Sequence, residues 1–243
     1  MRGRAVLRLA EHTLRLNLGA AVVCLLVFPA VYLMWRLGSG AAPRSFYSIA
    51  SKLQIVTAVI FGVLAASHER REGTLRFLLA QPIGRDTVVF GELVSLAAFG
   101  LLNSAIPTAI LVVEAARADM PIRETLAFLV LTFGFLRPLV IASVAFLLAS
   151  ITSPWVSGAV ALALPIVYGL VADGFFARGE FHRTVNRLAR WVLPSLDQLD
   201  LYRCLALNEA PALIGSMVVC LDSLSFIGLM WLVALLVSQQ FES

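Results

Sequence analysis

The sequence predicts an all-α protein that crosses a membrane six times. Apolar residues make up 60% of the 243 residues and charged residues only 14%, whereas a soluble domain carries about 25% charged residues. Six apolar runs, each near the roughly 20 residues that a helix needs to cross a bilayer, follow one another along the chain. We place these spans at residues 18–37, 46–67, 88–113, 125–150, 155–176 and 214–237. An even number of spans puts both termini on the same side of the membrane.

Residues 1–17 precede the first span and have the pattern of an amphipathic helix. One face carries charged side chains at helical spacing: Arg4, Arg8, Glu11 and Arg15. Leu7, Ala10 and Leu14 line another face, which is typical of a helix lying among lipid headgroups with its arginines towards anionic lipid. The alternative is the charged start of a signal peptide. The apolar run after Asn17 is longer than a usual signal core and has no convincing cleavage site, so we favour a retained helix.

Prolines mark breaks within and between the later spans. Only residues 151–154 separate the fourth span from the fifth, which indicates a tight turn with Pro154 opening the next helix. Pro107, Pro138 and Pro165 fall inside three different spans. A proline inside a membrane helix kinks it or opens it locally, so these three positions are predicted breaks.

A charge-rich stretch, residues 69–85, interrupts the apolar runs between the second and third spans and should lie in water at one membrane face. Gly73 can end the helix arriving from the membrane, Thr74 is a suitable N-cap, and Pro82 stops the short helix that follows. Three leucines share one face of its roughly two turns: Leu75, Leu78 and Leu79. So short a helix has little stability alone. Its apolar stripe therefore predicts a docking partner, with a plain solvated loop as the alternative.

The long loop before the last span, residues 177–213, carries amphipathic pieces of its own. Arg183, Arg187 and Arg190 share one helical face, apolar residues share another, and Pro194 ends the pattern. Two interpretations stay open. These pieces either cap the exit of a pathway or bind a partner, or they rest on the membrane surface as interfacial helices commonly do.

Four of the charged residues inside the predicted spans are candidates for a role in function. Arg137 lies near the middle of the fourth span, where insertion of an arginine costs at least about 2.5–3.5 kcal/mol, so it should face protein or water. Its candidate partners are Asp222 in the sixth span, Asp173 near the end of the fifth, and Glu92 early in the third. All four are candidates for lining a pathway through the membrane. A structural ion pair or a snorkelling charge is the equal alternative.

Several function classes lack their sequence signatures. The net charge of +4 comes almost entirely from arginine, since Lys52 is the only lysine. In a membrane protein this indicates topology and anionic lipid contact, not nucleic-acid binding. There is no Gly-x-x-x-x-Gly-Lys-Ser/Thr loop, so the chain is not expected to bind a nucleotide itself. Three scattered cysteines and three scattered histidines predict neither disulfides nor a metal site, and an intramembrane hydrolase lacks its catalytic pair.

The charge-rich stretch resembles the permeases of the type-2 ABC exporter family. The shared pattern, as it stands here, is Glu69, Glu72-Gly73-Thr74-Leu75, Leu78-Leu79, Pro82, Arg85 and then Gly91 opening the third span. The resemblance also covers the layout: an N-terminal amphipathic helix, six spans, and a long loop before the sixth. One departure is Glu92, because family members often carry lysine after this glycine.

The resemblance implies that residues 68–87 are a cytosolic coupling stretch contacting a separate ATPase subunit, which binds ATP and Mg²⁺. It also implies pairing with a second permease chain, here expected to be a second copy, in the inner membrane. Arginine counts on the two sides are nearly balanced, so the positive-inside rule does not decide orientation. The resemblance implies cytoplasmic termini and an extracytoplasmic 177–213 loop. The alternative function is a membrane scaffold or assembly factor that recruits a soluble protein through the same stretch and transports nothing.

Overall fold

The computed structural model describes residues 2–38, 43–72, 85–117, 124–172 and 213–240, and every regular element in these ranges is an α-helix. The helices are α1 (Arg2–Leu16), α2 (Leu18–Gly38), α3 (Pro43–Glu72), α4 (Arg85–Arg117), α5 (Glu124–Ile151), α6 (Pro154–Ala172) and α7 (Leu213–Gln240). The predicted all-α class is confirmed for this part of the chain. The predicted helix between Gly73 and Pro82, and the predicted loop at residues 177–213, lie outside the described residues.

Five of these helices contain a stretch long and apolar enough to cross a membrane. The stretches are Ala21–Gly38, Ile49–Ser67, Thr87–Ile110, Gly134–Ile151 and Met217–Val237. In α6 the apolar stretch within the described residues, Pro154–Ala163, is shorter. The chain is therefore a helical, multi-pass membrane protein, and a sixth crossing at residues 155–176 stays a prediction.

Helix α5 lies at the centre of the bundle and packs against α3, α4, α6 and α7. Of its Gly134–Ile151 stretch 67% is buried, compared with 17% of Met217–Val237 in α7. The contacts show that α3 and α5 run in parallel while α4 runs against both of them. α7 and α2 contribute one buried face each to the core and leave broad apolar faces exposed, as helices surrounded by lipid do.

Helices α3 and α5 approach each other closely at Gly62. A Cβ atom added to Gly62 would lie 2.5 Å from the carbonyl oxygen of Ala142 and 2.9 Å from the Cβ of Ala145. Small residues at such a crossing let two membrane helices bring their backbones into contact, where dispersion forces hold them. Only glycine therefore fits at position 62 in this crossing.

The N-terminal helix α1 packs against the beginning of α4. Gly91 of α4 makes room for it, since a Cβ atom there would lie 2.7 Å from the Cβ of Leu9. One side of α1 is buried on the bundle, with Leu9, Ala10 and Thr13, and so is Asn17 directly after the helix. The charged side faces away, with an exposed ion pair between Arg15 and Glu11. Leu7, predicted on the apolar face, is 65% exposed.

Candidate coupling region and buried polar layer

The structure describes both edges of the predicted coupling stretch. Glu72 is the last residue of α3, Glu69 lies in its last turn, and Arg85 is the first residue of α4. The other predicted coupling residues lie outside the described residues: Gly73, Thr74, Leu75, Leu78, Leu79 and Pro82. What the structure fixes is how the two helices on either side of this stretch pack against each other.

Helices α3 and α4 are held side by side in antiparallel orientation. The rings of Phe61 and Phe99 stack in parallel, with centroids 3.7 Å apart, and both side chains are almost fully buried. One turn away, the Thr57 hydroxyl donates a hydrogen bond to Oδ1 of Asn103 at 2.9 Å. The residues between Glu72 and Arg85 therefore connect neighbouring ends of two packed helices. A force on that connection acts on α3 and α4 together.

A set of buried polar side chains crosses the bundle farther from the coupling stretch. We call it the polar layer: Ser51, Gln54 and Thr57 on α3, Asn103 on α4, and Arg137 on α5, each at most 8% exposed. Sequence reasoning singled out only Arg137 of this set. The available signal was the spacing of Ser51, Gln54 and Thr57, which repeats every three residues and so keeps them near one helical face within an apolar run.

Gln54 bonds to the backbone of α5 at a carbonyl that loses its regular helical donor. Pro138 has no N–H, so it cannot donate to the carbonyl of Gly134 four residues earlier, as a regular helical residue would. The side-chain Nε2 of Gln54 donates to this Gly134 oxygen at 2.8 Å. The side chain of Gln54 therefore supplies the donor that Pro138 lacks. Helix α5 continues through Pro138, so the predicted kink or local opening there stays a prediction.

The intramembrane charges lie in different surroundings. Arg137 is 8% exposed, and its Nη1 donates to the hydroxyl of Ser51 at 2.6 Å. Glu92 is buried in α4 directly after Gly91, at the end where α1 packs. Asp222 is exposed on α7, and no ion pair joins it to Arg137 among the described side chains. Asp173 lies outside the described residues. The structure thus brings Arg137 to a hydroxyl of the polar layer.

Comparison with known proteins adds one finding to this geometry. The family model described as ABC-2 family transporter protein matches residues 12–183. That range includes α2 to α6, the predicted coupling stretch and the whole polar layer. No curated protein matches the sequence.

Proposed function

The chain belongs to the ABC-2 family of transporter proteins, and we propose that it is the membrane-spanning permease subunit of an ATP-driven exporter. In this proposal residues 69–85 dock on a separate ATPase subunit that binds ATP and Mg²⁺ and performs the hydrolysis. This chain has no phosphate-binding loop with a lysine in its sequence, so its part is transport. The proposal places it in the inner membrane with its termini in the cytoplasm.

The antiparallel packing of α3 and α4 on either side of the coupling stretch carries this proposal. Closure of the ATPase pushes on residues 69–85, and the push reaches both helices because Phe61 and Phe99 stack between them. It then reaches α5 through the backbone contact at Gly62. The bundle tilts as a result, between inward-facing and outward-facing states.

Docking on the ATPase combines apolar and charged contacts. Leu75, Leu78 and Leu79 fill an apolar groove of the ATPase. The charged residues beside them, Glu69, Glu72 and Arg85, pair with the rim of that groove. Such rim charges mainly set specificity and association rate.

A second copy of the chain completes the translocation pathway. Two permeases pair around it, and two ATPase subunits dock below them. Within each permease, Arg137 and Glu92 are the buried candidates for contact with the pathway. Asp222 and Asp173 are further candidates at the last two predicted spans.

The first experiment is purification of the chain in mild detergent, followed by an ATP hydrolysis assay on the eluate. The wild-type chain is compared with Leu78→Asp, which puts a charge into the proposed apolar contact. The matched control is Leu37→Asp, because Leu37 is 86% exposed at the far end of α2. We expect an ATPase to co-purify with the wild type and with Leu37→Asp, and to be lost with Leu78→Asp.

Gly73→Pro tests coupling separately from docking. We expect an inserted protein that no longer links ATP hydrolysis to transport, since proline restricts the joint between α3 and the coupling stretch. If the Leu78→Asp variant binds the ATPase as well as the wild type does, the proposed docking contact is wrong. If no ATPase accompanies the wild type, the scaffold function becomes the better account.

A further inference from the structure

The Gly134–Pro138 segment of α5 lacks one backbone hydrogen bond, and a side chain from another helix supplies a hydrogen bond in its place. We propose that α5 bends at this segment during transport, and that Gln54 is the positioning residue that holds the bend closed in this structure. The bend is a property of the helices themselves. Its use in transport rests on the proposed function.

The donor that holds the segment comes from another helix. In a regular helix the Gly134 carbonyl would accept the N–H of residue 138, and in hydrocarbon an unsatisfied carbonyl costs several kcal/mol. Here Nε2 of Gln54, 80 residues away in the chain, takes that place at 2.8 Å. A backbone bond is lost only when the helix unwinds. A side-chain bond between two helices is lost when they shift, so this segment can open without unfolding α5.

A second helix-internal proline lies near the same layer. Pro107 lies inside α4, and Asn103 is four residues before it, in the same relation as Gly134 to Pro138. The Asn103 side chain accepts from Thr57 and donates to the carbonyl of Gln54 at 3.5 Å. Both proline-containing helices therefore bond to α3 at the polar layer, which makes α3 the reference against which α5 bends.

Of the two polar atoms of the Gln54 side chain, only Nε2 forms a hydrogen bond among the described residues. Its Oε1 is buried and has no hydrogen-bond partner in the described part of the chain, and the side chain is 1% exposed. An unsatisfied buried acceptor offsets what the bond to Gly134 contributes. A shift of α5, or entry of a water molecule, relieves it. The closed arrangement is thus balanced against an open one, as a bistable element requires.

The bend moves one half of α5 and leaves the other fixed. Ala142 and Ala145 lie one to two turns beyond Pro138 and contact α3 at Gly62. That half stays attached to α3 and follows the coupling stretch. The preceding half ends at Arg137, whose guanidinium bonds Ser51 in the closed arrangement. Opening the segment therefore changes the position of Arg137 relative to α3.

The test is a double-mutant cycle on the full-length chain in detergent, read by amide hydrogen exchange of residues 135–141. Gln54→Leu removes the donor at nearly constant volume, and we expect exchange there to rise about threefold, as is usual for one interhelical bond in a membrane protein. Pro138→Ala restores the backbone N–H. In that background Gln54→Leu should change nothing. Residues 227–236 of α7 serve as the internal reference.

Thr57→Val is the matched control, because it removes a bond of the same layer that does not reach Gly134. Its effect should be the same with proline or alanine at position 138. An equal effect of Gln54→Leu in both backgrounds, or none in either, overturns the proposal. These outcomes do not depend on an ATPase, so failure of the proposed function is seen separately in the co-purification.

The transport role has its own readout in the complex with the co-purified ATPase. Pro138→Ala should retain the ATPase but lower its hydrolysis rate several-fold, since a straightened α5 resists the transition. Wild-type hydrolysis by this variant overturns the role in transport.

Discussion

The contact between α3 and α5 has two halves of opposite character. Near the coupling stretch it is dry, with Gly62 against the backbone of Ala142 and the side chain of Ala145. Farther away it is polar, with Gln54 bonded to Gly134 and Arg137 bonded to Ser51. The same two helices thus meet first through backbone contact and then through side-chain hydrogen bonds.

With two such halves, one helix pair can transmit a movement and also change shape. Backbone contact between small residues has a single close-packed arrangement, because separation forfeits dispersion contacts with nothing in exchange. Hydrogen bonds from side chains have alternatives, since a rotamer change or a water molecule can re-pair the groups. The dry half acts as a rigid connection to the coupling stretch, and the polar half allows adjustment.

Gly62→Leu breaks the dry half and has the largest expected effect. A side chain there meets the backbone oxygen of Ala142 at 2.5 Å, which no rotamer change relieves. We expect a loss of more than about 4 kcal/mol in the free energy of unfolding, enough to prevent folding. The measurement is the yield of folded, monodisperse protein after extraction. Gly228→Leu is the control, because nothing lies within 4 Å of a Cβ at this exposed position. Equal yields would contradict the backbone contact.

Phe61→Ala tests the connection from the dry half to α4, with the second-largest effect. Phe61 is fully buried against Phe99, so truncation leaves a cavity and costs about 3 kcal/mol. Thermal unfolding in detergent measures it. Phe90→Ala in α4 is the control, since Phe90 is 45% exposed and should cost far less. A small difference between the two variants would mean that the core here collapses easily.

The all-α class was predictable because few kinds of backbone structure are stable in the hydrocarbon core of a membrane. Backbone groups in hydrocarbon must be paired within the segment, so long apolar runs become helices. The stretch at residues 69–85 stood out for the same reason, as charges between two such runs. Its docking residues stay predictions, since residues 73–84 lie outside the described part of the chain.

The polar layer was harder to predict because the sequence of a membrane helix does not show which face packs against the protein. Lipid is as apolar as the protein core, so an apolar helix carries little amphipathic signal. The missing N–H of Pro138 was visible in the sequence, but the donor that replaces it, Gln54, is 80 residues away from Gly134. For Arg137, sequence reasoning sought a carboxylate. Among the described residues the structure places the Ser51 hydroxyl beside it, a partner that charge alone does not indicate. Asp173, one of the candidate carboxylates, lies outside the described residues.

Ser51→Ala tests the polar half and has an intermediate expected effect. It removes the acceptor 2.6 Å from Arg137 Nη1, and a hydrogen bond to a charged group contributes about 1.5 kcal/mol. The midpoint of thermal unfolding should fall by several degrees. Ser223→Ala is the control: Ser223 is also buried, but its hydroxyl donates to the Val219 carbonyl within its own helix. Similar shifts for both would show that the bond between helices adds nothing.

Trp231→Phe has the smallest expected effect. It tests whether losing a polar contact in the dry half loosens α5 in the way that losing a bond of the polar layer does. Trp231 of α7 donates through Nε1 to the Ser143 hydroxyl at 3.0 Å, and Ser143 lies between the alanines that contact Gly62. The change should lower stability by about 0.6 kcal/mol, and Ser143→Ala should add little in that background. Exchange of residues 135–141 should not change, because the dry half stays in place. Faster exchange there would show that the dry half is not rigid, and that bending in α5 extends beyond Pro138 towards the coupling stretch.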